Sequence, residues 1–158
     1  RMGRTALLRD DAHLIPLSAE AHPFVFEIPA MAGLGELLGE TAMSISEQPT
    51  HAEIRLAAGL ASQGRPVIVG VADVKRNPTQ IELVDALVKT GAPVIVVALR
   101  EPYDLLALPT GPALLATYGS PPPSLRALKA VLRGESPITG RLPVELPDMF
   151  QIGTGLTR

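Results

Sequence analysis

The sequence predicts an α/β protein, a three-layer αβα sandwich around a mostly parallel sheet of about five or six strands. Three observations lead there. Short apolar or β-branched runs recur at residues 24–28, 41–45, 67–72, 94–99 and 113–118, with helical patterns between them. Two of these runs, 67–72 and 94–99, are apolar without interruption, as strands covered on both faces by helices must be. Most of the spacings leave roughly a dozen or more residues, enough for a helix to cross over and start a parallel neighbour.

Taken in order, residues 5–9 are a looser strand candidate and 10–12 read as a turn before the run at 24–28. A helix over 32–38 is expected but is broken by glycines, and the run at 41–45 follows it. Thr50-His51-Ala52-Glu53 has the capping-box pattern, in which the hydroxyl and the carboxylate each satisfy a free backbone N–H, so a helix spans 51–63 with Gly64 at its end. After the strand at 67–72, Asn77-Pro78 supplies an N-cap and a proline at the first helical position. Ile81, Val84, Leu87 and Val88 then form one apolar face, and Gly91 ends the pattern. Beyond the runs at 94–99 and 113–118, Ser120-Pro121-Pro122-Pro123 opens a last helix. Leu125, Leu128, Val131 and Leu132 lie on its buried side, with Gly134 after it. Residues 142–146 read as a short strand marked by Pro143 and Pro147. The 16 prolines sit mainly between apolar runs, where they punctuate the chain.

With 158 residues, 46% of them apolar, the chain can bury one full core. A net charge of −2 with no Lys/Arg-rich run offers no footprint for nucleic acid and none for an acidic membrane surface. No apolar run approaches the roughly 18 residues of a membrane span. The absence of cysteine rules out disulfides and thiolate metal sites and leaves the compartment open between cytoplasm and export. Aromatics make up 3%, with no Trp, so a stand-alone sugar-binding surface built on stacked rings is disfavoured. Arg1-Met2-Gly3 reads as the middle of a longer protein.

The motifs narrow the chemistry. Gly33-Leu34-Gly35-Glu36-Leu37-Leu38-Gly39 invites comparison with the dinucleotide fingerprint G-x-G-x-x-G, but its third glycine comes one residue late and residues 29–32 part it from the strand. A closely packed helix is the plainer reading. His13, His22 and His51 are scattered, without the spacing that sets two imidazoles on one helical face toward a metal. No serine lies in a G-x-S-x-G elbow. No cofactor or metal is expected.

Ligands of an open parallel sheet meet the loops after the strands, which selects Glu47, Asp73 and Glu101, with Lys75, Arg76 and Arg100 beside them. A mixed-charge rim of this kind is also what ordinary solvated loops look like.

The segment Ala98-Leu99-Arg100-Glu101-Pro102-Tyr103-Asp104-Leu105 resembles the strand-end segment of the C-terminal domain of family 3 glycoside hydrolases, where Asn or a similar residue commonly precedes Pro-Tyr-Asp-Leu. Further matches follow in order at Ala116-Thr117-Tyr118-Gly119, Ser124-Leu125-Arg126-Ala127-Leu128, Leu132-Arg133-Gly134-Glu135 and Gly140-Arg141-Leu142-Pro143-Val144. Gly153-Thr154-Gly155-Leu156 is similar to the family's closing Gly-His-Gly-Leu, with Thr154 in place of His. Upstream, residues 6–11 and 14–17 resemble the segment that enters this domain after the barrel.

The resemblance implies a domain over 23–158, entered through 1–22 from an N-terminal (β/α)8-type barrel that carries the nucleophile of a retaining glycosidase. In the glucosidase branch, a Val-Gly-Glu segment of this domain brings the acid/base. Here Val69-Gly70-Val71 stands at that position, and an alkyl side chain transfers no proton. The resemblance therefore points to the β-N-acetylhexosaminidase branch, in which a barrel loop supplies an Asp-His pair; Asn77-Pro78-Thr79-Gln80 and the Arg100 before Glu101-Pro102 also look like that branch.

The implied partners are the barrel of the same parent chain and, through it, an N-acetylglucosamine-containing glycan such as a peptidoglycan fragment. Asp73, Lys75, Arg76, Arg100, Glu101 and Tyr103 are the substrate-proximal candidates, and no residue of the chain is expected to be catalytic. The alternatives are a free-standing nucleotide-binding module, resting on residues 33–39, and a protein-interaction module.

Overall fold

The computed structural model describes residues 5–117 and 125–158. Among the described residues a six-stranded sheet runs in the order β1 (Ala6–Arg9), β6 (Ala113–Ala116), β5 (Val94–Ala98), β4 (Val67–Val71), β2 (Phe24–Glu27), β3 (Ala42–Ser44). All neighbours are parallel except β1, which runs antiparallel to β6. The α/β class and the mostly parallel sheet are as the sequence predicts, with strand ends one or two residues shorter. Tyr118 and the opening Ser120-Pro121-Pro122-Pro123 of the last helix lie outside the described residues, as does Gly119.

The chain steps outward from β2 to β3 and then reverses, crossing β2 to lay down β4, β5 and β6. A right-handed crossover changes faces when its direction changes. So α1 (Leu34–Leu38), between β2 and β3, packs with α4 (Leu125–Arg133) on one face, and α2 (His51–Ala61) packs with α3 (Thr79–Lys89) on the other. Val67–Val71 and Val94–Ala98 pair residue for residue in the middle and are buried throughout. Each valine and isoleucine among them contributes about 1.5–3 kcal/mol by leaving water.

Local chemistry sets the helix ends. Thr50 Oγ1 accepts the Glu53 N–H at 3.1 Å while Glu53 Oε1 accepts the Thr50 N–H at 2.9 Å, the reciprocal cap that the sequence predicts. Helix α3 differs from expectation: Pro78 sits at the N-cap, and the Asn77 side chain instead donates to the Asp73 carbonyl at 3.1 Å. Closing the preceding loop takes the side chain that would have capped the helix. The expected helix over 32–38 starts only at Leu34, as the short α1, because Gly33 turns left-handed (φ 99°) and parts it from a preceding 3₁₀ turn (Pro29–Met31).

Residues 142–146 form no regular strand. Leu142 exchanges backbone bonds with Gly153 and Thr154, at 2.7 and 2.8 Å, but Pro143 has no N–H with which to continue the ladder. Leu146 instead bridges Phe150 in a tight turn. Strand β1 and the C-terminal segment meet at the sheet edge. Leu156 donates its N–H to the Leu7 carbonyl at 2.7 Å, and the buried Asp10 carboxylate accepts the amides of Leu14 and Ile15.

Candidate functional site

Parallel strands direct their C-terminal ends to one edge of the sheet, and there the loops after β4 and β5 enclose a pocket of about 400 Å³. The first loop is fastened from below. Gln80, 1% exposed on α3, accepts the Ala72 N–H at 2.9 Å and donates to the Glu47 carbonyl at 2.8 Å. Asp73 then turns left-handed (φ 55°), and its carbonyl accepts the amides of Arg76 and Asn77 at 3.1 and 3.0 Å.

The second loop starts a 3₁₀ turn at Pro102 (Pro102–Ala107), which aims Asp104 inward. Its carboxylate oxygens accept the amides of Asp73 at 3.0 Å and Val74 at 3.1 Å, joining the two loops. Burial pushes the Asp104 carboxyl above its ordinary range; the Val74 and Asp73 amides oppose that, and the nearby charges of Asp73 and Glu101 add to it.

Of the predicted residues, Asp73, Lys75, Arg76, Glu101 and Tyr103 line this pocket together. Arg100 stands at its rim in an ion pair with the Asp73 carboxylate. Glu47 does not line it and contributes only its carbonyl, to Gln80. Asp104 and Leu106 line it without having been singled out. The signal for Asp104 was the Pro-Tyr-Asp-Leu segment itself, which places one acid two residues after a strand-end proline.

The other sequence features lead elsewhere. The amides of Gly33 and Gly35, which a phosphate-binding loop would offer to its ligand, are taken by the chain's own Glu27 carboxylate at 3.1 and 2.6 Å. A Cβ on Gly35 would stand 2.5 Å from that of Ala42, so the glycine serves close packing. Among the described residues no group of three or more His, Cys, Asp or Glu could hold a metal. Val71, at the end of β4, is fully buried.

Two of the carboxylates that line the pocket, Asp73 and Asp104, are committed to structure. Asp73 is paired with Arg100, and both oxygens of Asp104 hold backbone amides. Glu101 is exposed, and among the described residues that line the pocket no second carboxylate is free to face it across a glycosidic bond.

No protein-family model matches the chain, and no curated protein does. Solved structures do. A family 3 β-N-acetylglucosaminidase from Paenibacillus sp. FPU-7 is 27% identical over 83% of this chain, with a TM-score of 0.69. A fungal multi-domain family 3 β-N-acetylglucosaminidase with a glucosamine N-acetyltransferase region superposes over 94% with a TM-score of 0.72; at 20% identity it supports the fold alone. The chain spans 28% of the first protein and 18% of the second. Strand order, ordered motifs and this similarity together support a C-terminal α/β domain of the kind found in family 3 glycoside hydrolases, with similarity to a β-N-acetylglucosaminidase of that family over most of the chain.

Proposed function

We propose that this chain is the non-catalytic domain of a retaining β-N-acetylhexosaminidase that removes terminal N-acetylglucosamine from glycans such as peptidoglycan fragments. In this reading residues 1–22 connect it to an N-terminal barrel that carries the chemistry, and residues 23–158 form the supporting sandwich. The β4 and β5 loops face the mouth of that active site, which puts Asp73, Lys75, Arg76, Arg100, Glu101 and Tyr103 near the bound glycan.

The observation that carries the proposal is the 27% identity to the Paenibacillus enzyme over 83% of the chain, combined with a fully buried valine at the position of the strand-end acid. Hydrolysis of a glycoside calls for two carboxyl groups roughly 5–10 Å apart. Among the described residues of this pocket only Glu101 is free to offer one, so binding without turnover is the expected behaviour.

The test is release of nitrophenol from 4-nitrophenyl N-acetyl-β-D-glucosaminide by residues 1–158. The expected rate equals the buffer blank. Turnover that disappears in Glu101→Gln would overturn the non-catalytic reading.

A further inference from the structure

The two edges of the sheet are finished differently. At β1 the C-terminal segment covers the edge, with the Leu156 N–H on the Leu7 carbonyl. At β3 no strand covers it among the described residues. The Val25 N–H donates to the Thr41 carbonyl at 3.0 Å and the Ile45 N–H to the Glu27 carbonyl at 2.8 Å, so residues 41, 43 and 45 turn their backbone groups to β2. Ala42 and Ser44, both exposed, turn theirs outward. The ladder they offer is short and bounded. Before it the Glu40 N–H is held by the Gly35 carbonyl, and after it the Ser46 N–H is held by the Glu53 carboxylate. Proteins usually guard such an edge with a charge, a proline or a bulge; Thr41-Ala42-Met43-Ser44-Ile45-Ser46 has neither charge nor proline.

An apolar shelf borders the same edge. Glu53, Leu56 and Leu60 share one face of α2, at i, i+3 and i+7, and Glu53 reaches Ser46 just past β3, which turns this face toward the strand. Leu56 is 57% exposed and Leu60 is half-buried. On the sheet below, Ala42 packs toward Gly35 of α1, so Met43 alternates to the α2 face, where it too is half-buried.

We infer that the β3 edge pairs with the β3 edge of a second copy of this chain, antiparallel across a twofold axis at Met43, with Leu56 and Leu60 of the two α2 helices closing over the seam. In that register Ala42 exchanges both backbone bonds with Ser44 of the copy, and the reverse by symmetry, so the outward groups of both strands are satisfied. Charge selects the direction. Glu40, before the strand, is paired with Arg133 at 2.8 Å and with His22 at 3.2 Å. Glu47 and Glu53, after it, have no cation partner among the described residues. Antiparallel pairing turns each acidic end toward the Arg133 and His22 of the other copy, whereas parallel pairing sets acid against acid. A short ladder with a few apolar side chains falls at the small end of interface sizes, so the dimer is weak, with a Kd on the order of 100 µM.

Sedimentation equilibrium of residues 1–158 from about 10 µM to about 1 mM tests this. The mass is expected to rise from that of one chain to that of two and no further, because a twofold contact closes. Backbone amide shifts at residues 41–45 should follow the same concentration dependence. Leu56→Lys, at an exposed position, and Ser44→Pro, which removes an outward N–H where an edge strand tolerates proline, should each weaken the dimer about tenfold or more. Glu47→Gln should weaken it less, by an amount that shrinks with added salt. Leu106→Ala, at the β4–β5 pocket, should leave it unchanged. An unchanged amide spectrum at low concentration shows that each variant is folded.

A single-chain mass at every concentration, growth past the dimer, or a dimer that both Leu56→Lys and Ser44→Pro leave intact would overturn the inference. So would a dimer that only Leu106→Ala dissolves, which would move the contact to the pocket.

Discussion

Replacing Asp104 by alanine strips the acceptors from two backbone amides at once. The Val74 amide is buried, and a buried N–H without a partner costs about 1–3 kcal/mol. The Asp73 amide is half-buried and partly recovers a water, so its share is smaller. Release of the left-handed Asp73 returns some of its strain, on the order of 1 kcal/mol. The net expectation is a loss of about 1–3 kcal/mol, a fall in Tm of about 2–12 °C for a chain of this length.

Asp104→Asn keeps one acceptor and should lose about 1 kcal/mol. It also removes a titration whose sign is defined. A carboxyl whose folded pKa lies above the usual aspartate value of 3.8 binds its proton more tightly in the folded chain. The parent therefore loses stability as pH rises from 3.8 through the raised value and is level above it. Its advantage over Asp104→Asn should be largest at the acid end and shrink across that window. Urea melts of both proteins at stepped pH values measure this. A Tm of Asp104→Ala within about 1 °C of the parent would refute the role of Asp104 in joining the two loops, and an advantage over Asp104→Asn that widens with pH would refute the upward shift of its carboxyl.

Gly35→Ala brings a methyl group within 2.5 Å of the Ala42 Cβ and 3.0 Å of Glu27 Oε2, and should cost about 1–3 kcal/mol in a denaturant melt. Thr50→Ala should lose about 1 kcal/mol by undoing the cap of α2. The Glu53 carboxyl of the same cap is held below its usual 4.5, chiefly by the Thr50 amide and further by Ser46. Its contribution is complete above the unfolded value and lost as pH falls through the lowered one, so the deficit of Glu53→Gln at pH 7 should close in acid melts. Val71→Glu puts an unpartnered carboxylate into the sheet interior and should cost several kcal/mol without creating turnover. A stable, active Val71→Glu protein would contradict the assignment of that position to the core.

Much of the scaffold was legible because its signals are local. Uninterrupted apolar runs mark β4 and β5, and the hydroxyl and carboxylate of one capping box mark the start of α2. The strand-end rule also found Asp73, Lys75, Arg76 and Glu101, since it needs only the position where an apolar run stops. Asn77 and residues 142–146 were misjudged because neighbours distant in the chain, or a proline's missing N–H, outweighed the local pattern.

The sequence by itself determined the layered α/β class, the main elements and the family likeness, since periodicity, capping and ordered motifs are properties of adjacent residues. Only the tertiary structure decided which charges are free. Asp104 and the Val74 amide are 30 residues apart, Arg100 and Asp73 are 27 apart, and Glu27 reaches Gly35 only after the chain has folded back on β2. A carboxylate's partner is a matter of distance in space, and the crossovers of the sheet, with no local signal of their own, set that distance.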